Sequence, residues 1–390
     1  MSQEIIPGVH VNEIPGFPPS VAEVDSAVPA FIGYTEKAKE LVNGDLDFIP
    51  QRIVSLREFE DFYGFFSGAG TFVLYHAIQL FFANGGSGCY IVSIGDYNQA
   101  IQQPDFVRGL DAISTKDEPT LLVFPDAVNL PGTGLYEVQR AALKQAADLG
   151  DRFCILDLKF AATKEDHTGI VNEFRNNIGI ANLKFGAAYT PWLVTGSLGL
   201  PPSAAVAGQY CSVDSTRGVW KAPANVRLNM VNEVAYPINH NEQDELNLDV
   251  KGGRSINAIR EFTGKGILIW GTRTLAGNDN EWRYVPVRRF FNMIEESVKK
   301  ACLSFVFEPN DAATWGKAKT LVENYLQIKW RQGALAGVTP HTAYFVKVGL
   351  GETMTGSDIL EGRMIVEIGM APIRPAEFII LRFSQKMHGN

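Results

Sequence analysis

TLLVFPDAVNLPGTGLYEVQRAALKQAADLGDRFCILDL, residues 120–158, is the stretch whose reading decides the fold. Residues 120–124 and 152–158 are short apolar runs ending in polar or turn residues, the signature of buried strands. Between them Leu135, Val138, Ala142, Ala146 and Leu149 recur every three or four residues, one face of a helix. The rhythm extends outward. Apolar runs at 28–32, 89–93 and 184–189 alternate with helical patterns at 56–65, 72–82 and 170–178. Strands alternating with such helices predict an α/β fold with a parallel or mixed sheet.

A polar stretch from Asn239 to Asn247 breaks this rhythm and reads as a domain boundary or exposed loop. Beyond it Phe290, Phe291, Ile294, Val298, Ala301, Cys302 and Phe305 form a helical stripe, with Glu295–Lys299 and Glu296–Lys300 as i,i+4 pairs. Asn310 or Asp311 then caps a second long helix running through Trp315, Ala318, Val322 and Tyr325. Strands are expected at 343–348 and 364–370.

The two ends mirror each other. Val9 and Val11 alternate with His10 and Asn12, a short strand, and Pro15-Gly-Phe-Pro-Pro19 follows as a stiff linker. At the other end Pro372-Ile-Arg-Pro375 is a spacer before a strand at 377–383, in which Phe378 and Ile380 face one way and Ile379, Leu381 and Phe383 the other. A strand apolar on both faces needs cover on both. An intramolecular edge strand is one solution. Terminal strands at both ends favour the other, strand addition between subunits through Val9, His10, Val11 and Asn12 and through Phe378, Ile379, Ile380, Leu381, Arg382 and Phe383.

Composition sets outer limits. The chain has 390 residues, of which 46% are apolar and 20% charged, enough for two or three domains with their own cores. With 43 Asp and Glu against 35 Lys and Arg, the net charge of -8 gives no global field for nucleic acid or anionic membrane. No apolar run is long enough for a membrane span, and the first residues lack a signal-peptide pattern. Four scattered cysteines read as reduced core residues of a protein made in the cytosol.

Motifs for chemistry are sparse. No glycine pattern completes a nucleotide loop and no His or Cys spacing suits a metal, so no cofactor is expected. Asp126, His167 and Ser203 follow the chain order of a subtilisin-type triad, which makes a serine hydrolase the alternative reading. Against it, Pro201-Pro202 precedes the serine and His167 lacks a glycine-rich frame. Arg288-Arg289 and Lys299-Lys300 flank Glu295-Glu296 on one helix; a solvated face is the default, and charge contacts with a neighbouring subunit the functional alternative.

In order along the chain stand Pro7-Gly-Val-His-Val-Asn-Glu13, Ala30-Phe-Ile-Gly33, Phe82-Ala-Asn-Gly-Gly86, Phe124-Pro-Asp-Ala127 and Pro201-Pro-Ser-Ala-Ala-Val-Ala-Gly208. Trp270-Gly-Thr-Arg-Thr-Leu275, Tyr284-Val-Pro-Val-Arg-Arg289, Phe307-Glu-Pro-Asn310, Gly333-Ala-Leu-Ala-Gly337 and Ala371-Pro-Ile-Arg-Pro-Ala-Glu-Phe378 follow. In these blocks the chain resembles the contractile sheath proteins of phage tails, R-type bacteriocins and related injection systems. The resemblance implies a structural protein without catalytic activity, stacked as hexameric rings around an inner tube and bounded by baseplate and cap proteins. It implies assembly in the bacterial cytoplasm and a place in a phage tail or released particle, while the acidic charge and the lack of an apolar span already argue for no nucleic-acid partner and no membrane insertion. It implies an arm at 1–20, a first body segment at 21–95, a subtilisin-like middle domain without the triad at 96–245, an assembly domain at 246–371 and an arm at 372–390.

Overall fold

The computed structural model describes residues 20–66 and 71–378. The described residues divide into two compact units, one built on Glu23–Glu296 with 372–378, the other on Ser297–Ala371 with 20–22. The first unit opens with Pro29–Thr35 (β1), Gln51–Ile53 (β2), Leu56–Tyr63 (α1), Leu74–Ala83 (α2) and Cys89–Asp96 (β3). Gln103–Ser114 (α3), Leu121–Val123 (β4), Gly134–Leu149 (α4), Phe153–Asp157 (β5) and Lys164–Asn177 (α5) continue it. Then come Gly186–Thr190 (β6), Leu193–Thr195 (β7), Leu198–Leu200 (β8), Ser203–Arg217 (α6), Val226–Arg227 (β9) and Glu233–Val234 (β10). His240–Asn247 (α7), Ile256–Phe262 (β11) and Gly266–Ile269 (β12) follow, and Val285–Cys302 (α8) carries the border between units.

One nine-stranded sheet runs β2-β3-β1-β4-β5-β6-β11-β12-β9. The six strands from β3 to β11 pair in parallel, while β2, β12 and β9 join antiparallel at the flanks, so the sheet is mixed. β1, β4, β5 and β6 are buried along their whole length, which explains their unbroken apolar runs. Neighbouring residues serve opposite faces. Ile32 packs with Phe106, Leu135 and Leu156 on one side, and Phe31 packs with Phe81, Ile155 and Ala204 on the other.

The polar 239–247 stretch is not a loop. It is helix α7, closed by a capping box in which Asn239 and Glu242 bond each other's backbone N–H. The chain then returns to the same sheet, where β11 pairs in parallel with β6. Strands from all three expected body segments therefore share one sheet, and the compact units divide at 296/297.

In the second unit Ala312–Arg331 (α9) is capped by Asp311, whose side chain accepts from the N–H of Ala313 and Thr314. Pro340–Ala343 (α10), Tyr344–Lys347 (β13), Gly356–Leu360 (α11) and Glu367–Met370 (β14) follow. β13 and β14 form an antiparallel hairpin packed beside α9.

Candidate functional site

Open α/β sheets place chemistry in the crevice at the carboxyl ends of their parallel strands. Asp126, just past β4, accepts the N–H of Val73 at 2.6 Å, Leu74 at 3.1 Å and Tyr34 at 2.8 Å. It thereby fastens the start of α2 to the end of β1. Gly33 permits this, because a Cβ there would lie 2.5 Å from the Asp126 carboxylate. Asp157, at the end of β5, accepts from the Ser203 N–H at 2.8 Å and hydroxyl at 2.5 Å, and so caps α6. Burial pushes the Asp126 carboxyl up to about 6 and Asp157 up to about 7, against the hydrogen bonds that favour their ionised forms.

The hydrolase alternative needs Asp126, His167 and Ser203 to converge. The structure engages them separately. The His167 ring places Nε2 3.1 Å from Thr190 Oγ1 and stacks on Tyr236 with centroids 4.8 Å apart; burial lowers its pKa. The Ser203 hydroxyl donates to Asp157, the carboxylate that also accepts the first N–H of α6. Among the described residues no group of three or more His, Cys, Asp or Glu could hold a metal.

The charged candidates on α8 also fall differently from the default. Arg289 is buried and donates to Asp214 at 2.6 and 3.1 Å and to the Ser26 carbonyl at 2.9 Å, its guanidinium 4.4 Å from the Tyr210 ring centroid. Burial would lower its pKa, but Asp214 more than offsets this and holds it up. Arg288 is buried against Trp282, Phe185 and Phe291 and donates to Asn292 and Glu295. The solvated-face reading of these two arginines is thus corrected: both are buried, Arg289 on Asp214 and the Ser26 carbonyl, Arg288 among aromatic rings with its polar partners on its own helix. Glu296 is buried, Glu295 and Lys299 are exposed, and Lys300 is half-buried.

Of the terminal-strand residues, Val9, His10, Val11 and Asn12, and Ile379, Ile380, Leu381, Arg382 and Phe383, lie outside the described residues. Phe378 is 71% exposed. Directly before it, Glu377 is gripped. Its carboxylate receives Arg273 Nε at 2.9 Å, Arg273 Nη2 at 2.7 Å and the Tyr284 hydroxyl at 3.1 Å. Arg273 and Tyr284 face each other in an isolated β-bridge. Asn257 on β11 fixes Arg273 from both sides, accepting its N–H at 2.7 Å and donating to its carbonyl at 2.8 Å. Arg273, Tyr284 and Glu377 all stand in the motif blocks, but nothing local pairs Arg273 with Glu377, 104 residues away.

The β13–β14 hairpin supplies a second feature. Ala371 donates to the Ala343 carbonyl, which makes that facing pair a hydrogen-bonded one. Antiparallel ladders alternate, so in the facing pair Val346 and Ile368 the main-chain N–H and C=O groups point away from the hairpin. Among the described residues the hairpin has two strands and two open edges.

Comparison with known proteins gives one consistent answer. Residues 277–386 match the family described as the phage tail sheath C-terminal domain. A chain in the cryo-EM structure of the anti-feeding prophage baseplate is 36% identical, with a TM-score of 0.77 over 98% of this chain and 99% of that one. The PVC sheath complex of an extracellular contractile injection system, in its contracted state, is 34% identical with a TM-score of 0.77, covering 99% of both chains. The tail sheath protein of Vibrio phage KVP40 is 26% identical over 188 residues, 47% of this chain. That match spans about a quarter of the phage protein, 26% of its length.

Proposed function

The chain belongs to the contractile tail sheath family, and from that premise we propose that it is a structural subunit of a contractile sheath. Subunits stack as hexameric rings around an inner tube, between baseplate and cap proteins, and contraction drives the tube through a target envelope. Assembly takes place in the bacterial cytoplasm, and the particle is a phage tail or a released tail-like device. The arms at 1–20 and 372–390 join neighbours by strand addition. The segment 96–245 has a subtilisin-like layout without the triad, supported by buried α6 opening at Ser203, whose hydroxyl is held by Asp157.

The observation that carries this reading is the hairpin with two outward edges. Open edges invite pairing, and evolved proteins otherwise cover or charge them. The terminal strands expected at 9–12 and 378–383 have the pattern and position to fill such edges on neighbouring copies. Deleting 379–390 tests it. The truncated chain is expected to fold and remain soluble while forming no cylinders in negative-stain electron microscopy; cylinders of normal number and length would refute strand donation.

A further inference from the structure

We propose that Arg273 and Tyr284 form a receptor for the Glu377 carboxylate that fixes where the C-terminal strand leaves its own subunit. Resting on the strand-donation reading above, this names the residues that position the donated strand and carry tension from it.

Contacts other than those of Glu377 hold the receptor in shape. Arg273 is 4% exposed, and its Nη1 donates to the Asn247 carbonyl at 3.2 Å, which orients the guanidinium fork. Its backbone is clamped by Asn257, and the flanking pairs Thr274 to Arg283 and Val285 to Thr272 extend the bridge with Tyr284. Gly271 must lack a side chain here, since a Cβ would sit 2.7 Å from the Asn257 side chain. A rigid, bidentate Arg–carboxylate pair is among the strongest polar ties a protein makes. The hydrogen bonds Arg273 donates to Glu377 hold its pKa up against the opposing effect of burial.

Two consequences follow. The proline spacer lies upstream of the tie, so the free part of the arm begins at Phe378 with at most about 3.6 Å of slack per residue. The strand therefore starts from a defined point, and its reach selects an adjacent copy. A pull on that strand is also delivered to Glu377, then to Arg273, and through Asn257 into β11 of the nine-stranded sheet. Pro372 and Pro375 carry no N–H, so the spacer has fewer main-chain donors with which to resist that pull.

The test places a nitroxide on the exposed Ala376 of the full chain, with Cys302→Ser removing the partly accessible thiol. The parent is expected to give an immobilised spectrum. Glu377→Ala and Glu377→Gln are expected to lower the anchored population at least about tenfold and sharpen the line. Their melting temperatures should fall as buried Arg273 loses its partner, so the spectra are compared well below melting, and cylinder formation should drop with the anchored population. Arg273→Met should match them if it folds; the Glu377 variants decide the matter if it does not. An unchanged spectrum in Glu377→Ala overturns the receptor. Failure of the underlying reading looks different, because chains lacking 379–390 would then still form cylinders whatever the spectrum shows.

Discussion

A carboxylate buried at the end of a parallel strand is held there against solvation, and this chain keeps two of them as helix caps. Asp157 is raised from 3.8 to about 7 by burial, so the folded chain holds its proton more tightly than the unfolded chain. A group with a raised folded value stabilises most below its unfolded value, and that contribution is lost as pH rises toward 7. Against Asp157→Asn, the parent is expected to lose up to about 1.4 kcal/mol per pH unit within that window. Urea titrations at pH 5, 6, 7 and 8 measure this; a difference that does not vary with pH would sink the assignment. Asp214 is a different case, a carboxylate paired with buried Arg289. Asp214→Ala is expected to cost about 3–5 kcal/mol by stranding that cation, and Asp214→Leu with Arg289→Met to recover most of it. Equal losses in the single and double variants, by urea denaturation, would show that packing rather than the orphaned charge sets the cost. Neither pairing was legible in the sequence. Ser203 and Asp157 are 46 residues apart and Arg289 and Asp214 are 75 apart, and only the tertiary packing brings them together.

At the scale of elements the sequence was far more informative, because a buried parallel strand and an amphipathic helix each write their period locally. The alternation that starts from 120–158 correctly anticipates β1, β3, β4, β5 and β6 and the helices α1, α2, α4 and α5. Helix α7 was misread because polar residues dominate it, although Asn239 and Glu242 carry its capping signature. The Phe82-Ala-Asn-Gly-Gly86 block gains a physical meaning where α2 meets α6. Asn84 donates to Leu80 and Asn229 and accepts from the Asn229 N–H, pinning the helix end. Gly85 has φ +99, and its Cβ would fall 2.7 Å from Ser212; a Cβ on Gly208 would fall 2.5 Å from the Phe81 carbonyl. The helices approach through backbone, with no room for a methyl group. Gly208→Val is expected to cost at least about 1–3 kcal/mol, as overpacking does, whereas Gly132→Ala tests positive φ in open space and isolates the backbone effect. Thermal unfolding of both variants separates the two, and equal shifts would remove the close-packing explanation.

At the scale of the whole molecule, the parts that fold this chain and the parts that would join it to others are separated along the sequence. The nine-stranded sheet closes its own core, whereas the β13–β14 hairpin of Ser297–Ala371 presents edges that its own described residues leave open. Those edges allow a substitution that acts on assembly with little effect on the fold. Ile368 points its N–H away from β13, so proline there removes an outward donor and leaves the hairpin's internal ladder intact. Ile368→Ala, which keeps the N–H and loses more apolar surface, is the control. Ile368→Pro is expected to melt close to the alanine variant, yet to form no cylinders where Ile368→Ala does, because an added strand cannot complete its ladder along that edge. Cylinders from the proline variant at the alanine variant's frequency would mean that the β14 edge accepts no strand. The outward N–H of Val346 would then define the one acceptor edge of the hairpin, and Val346→Pro should abolish assembly alone.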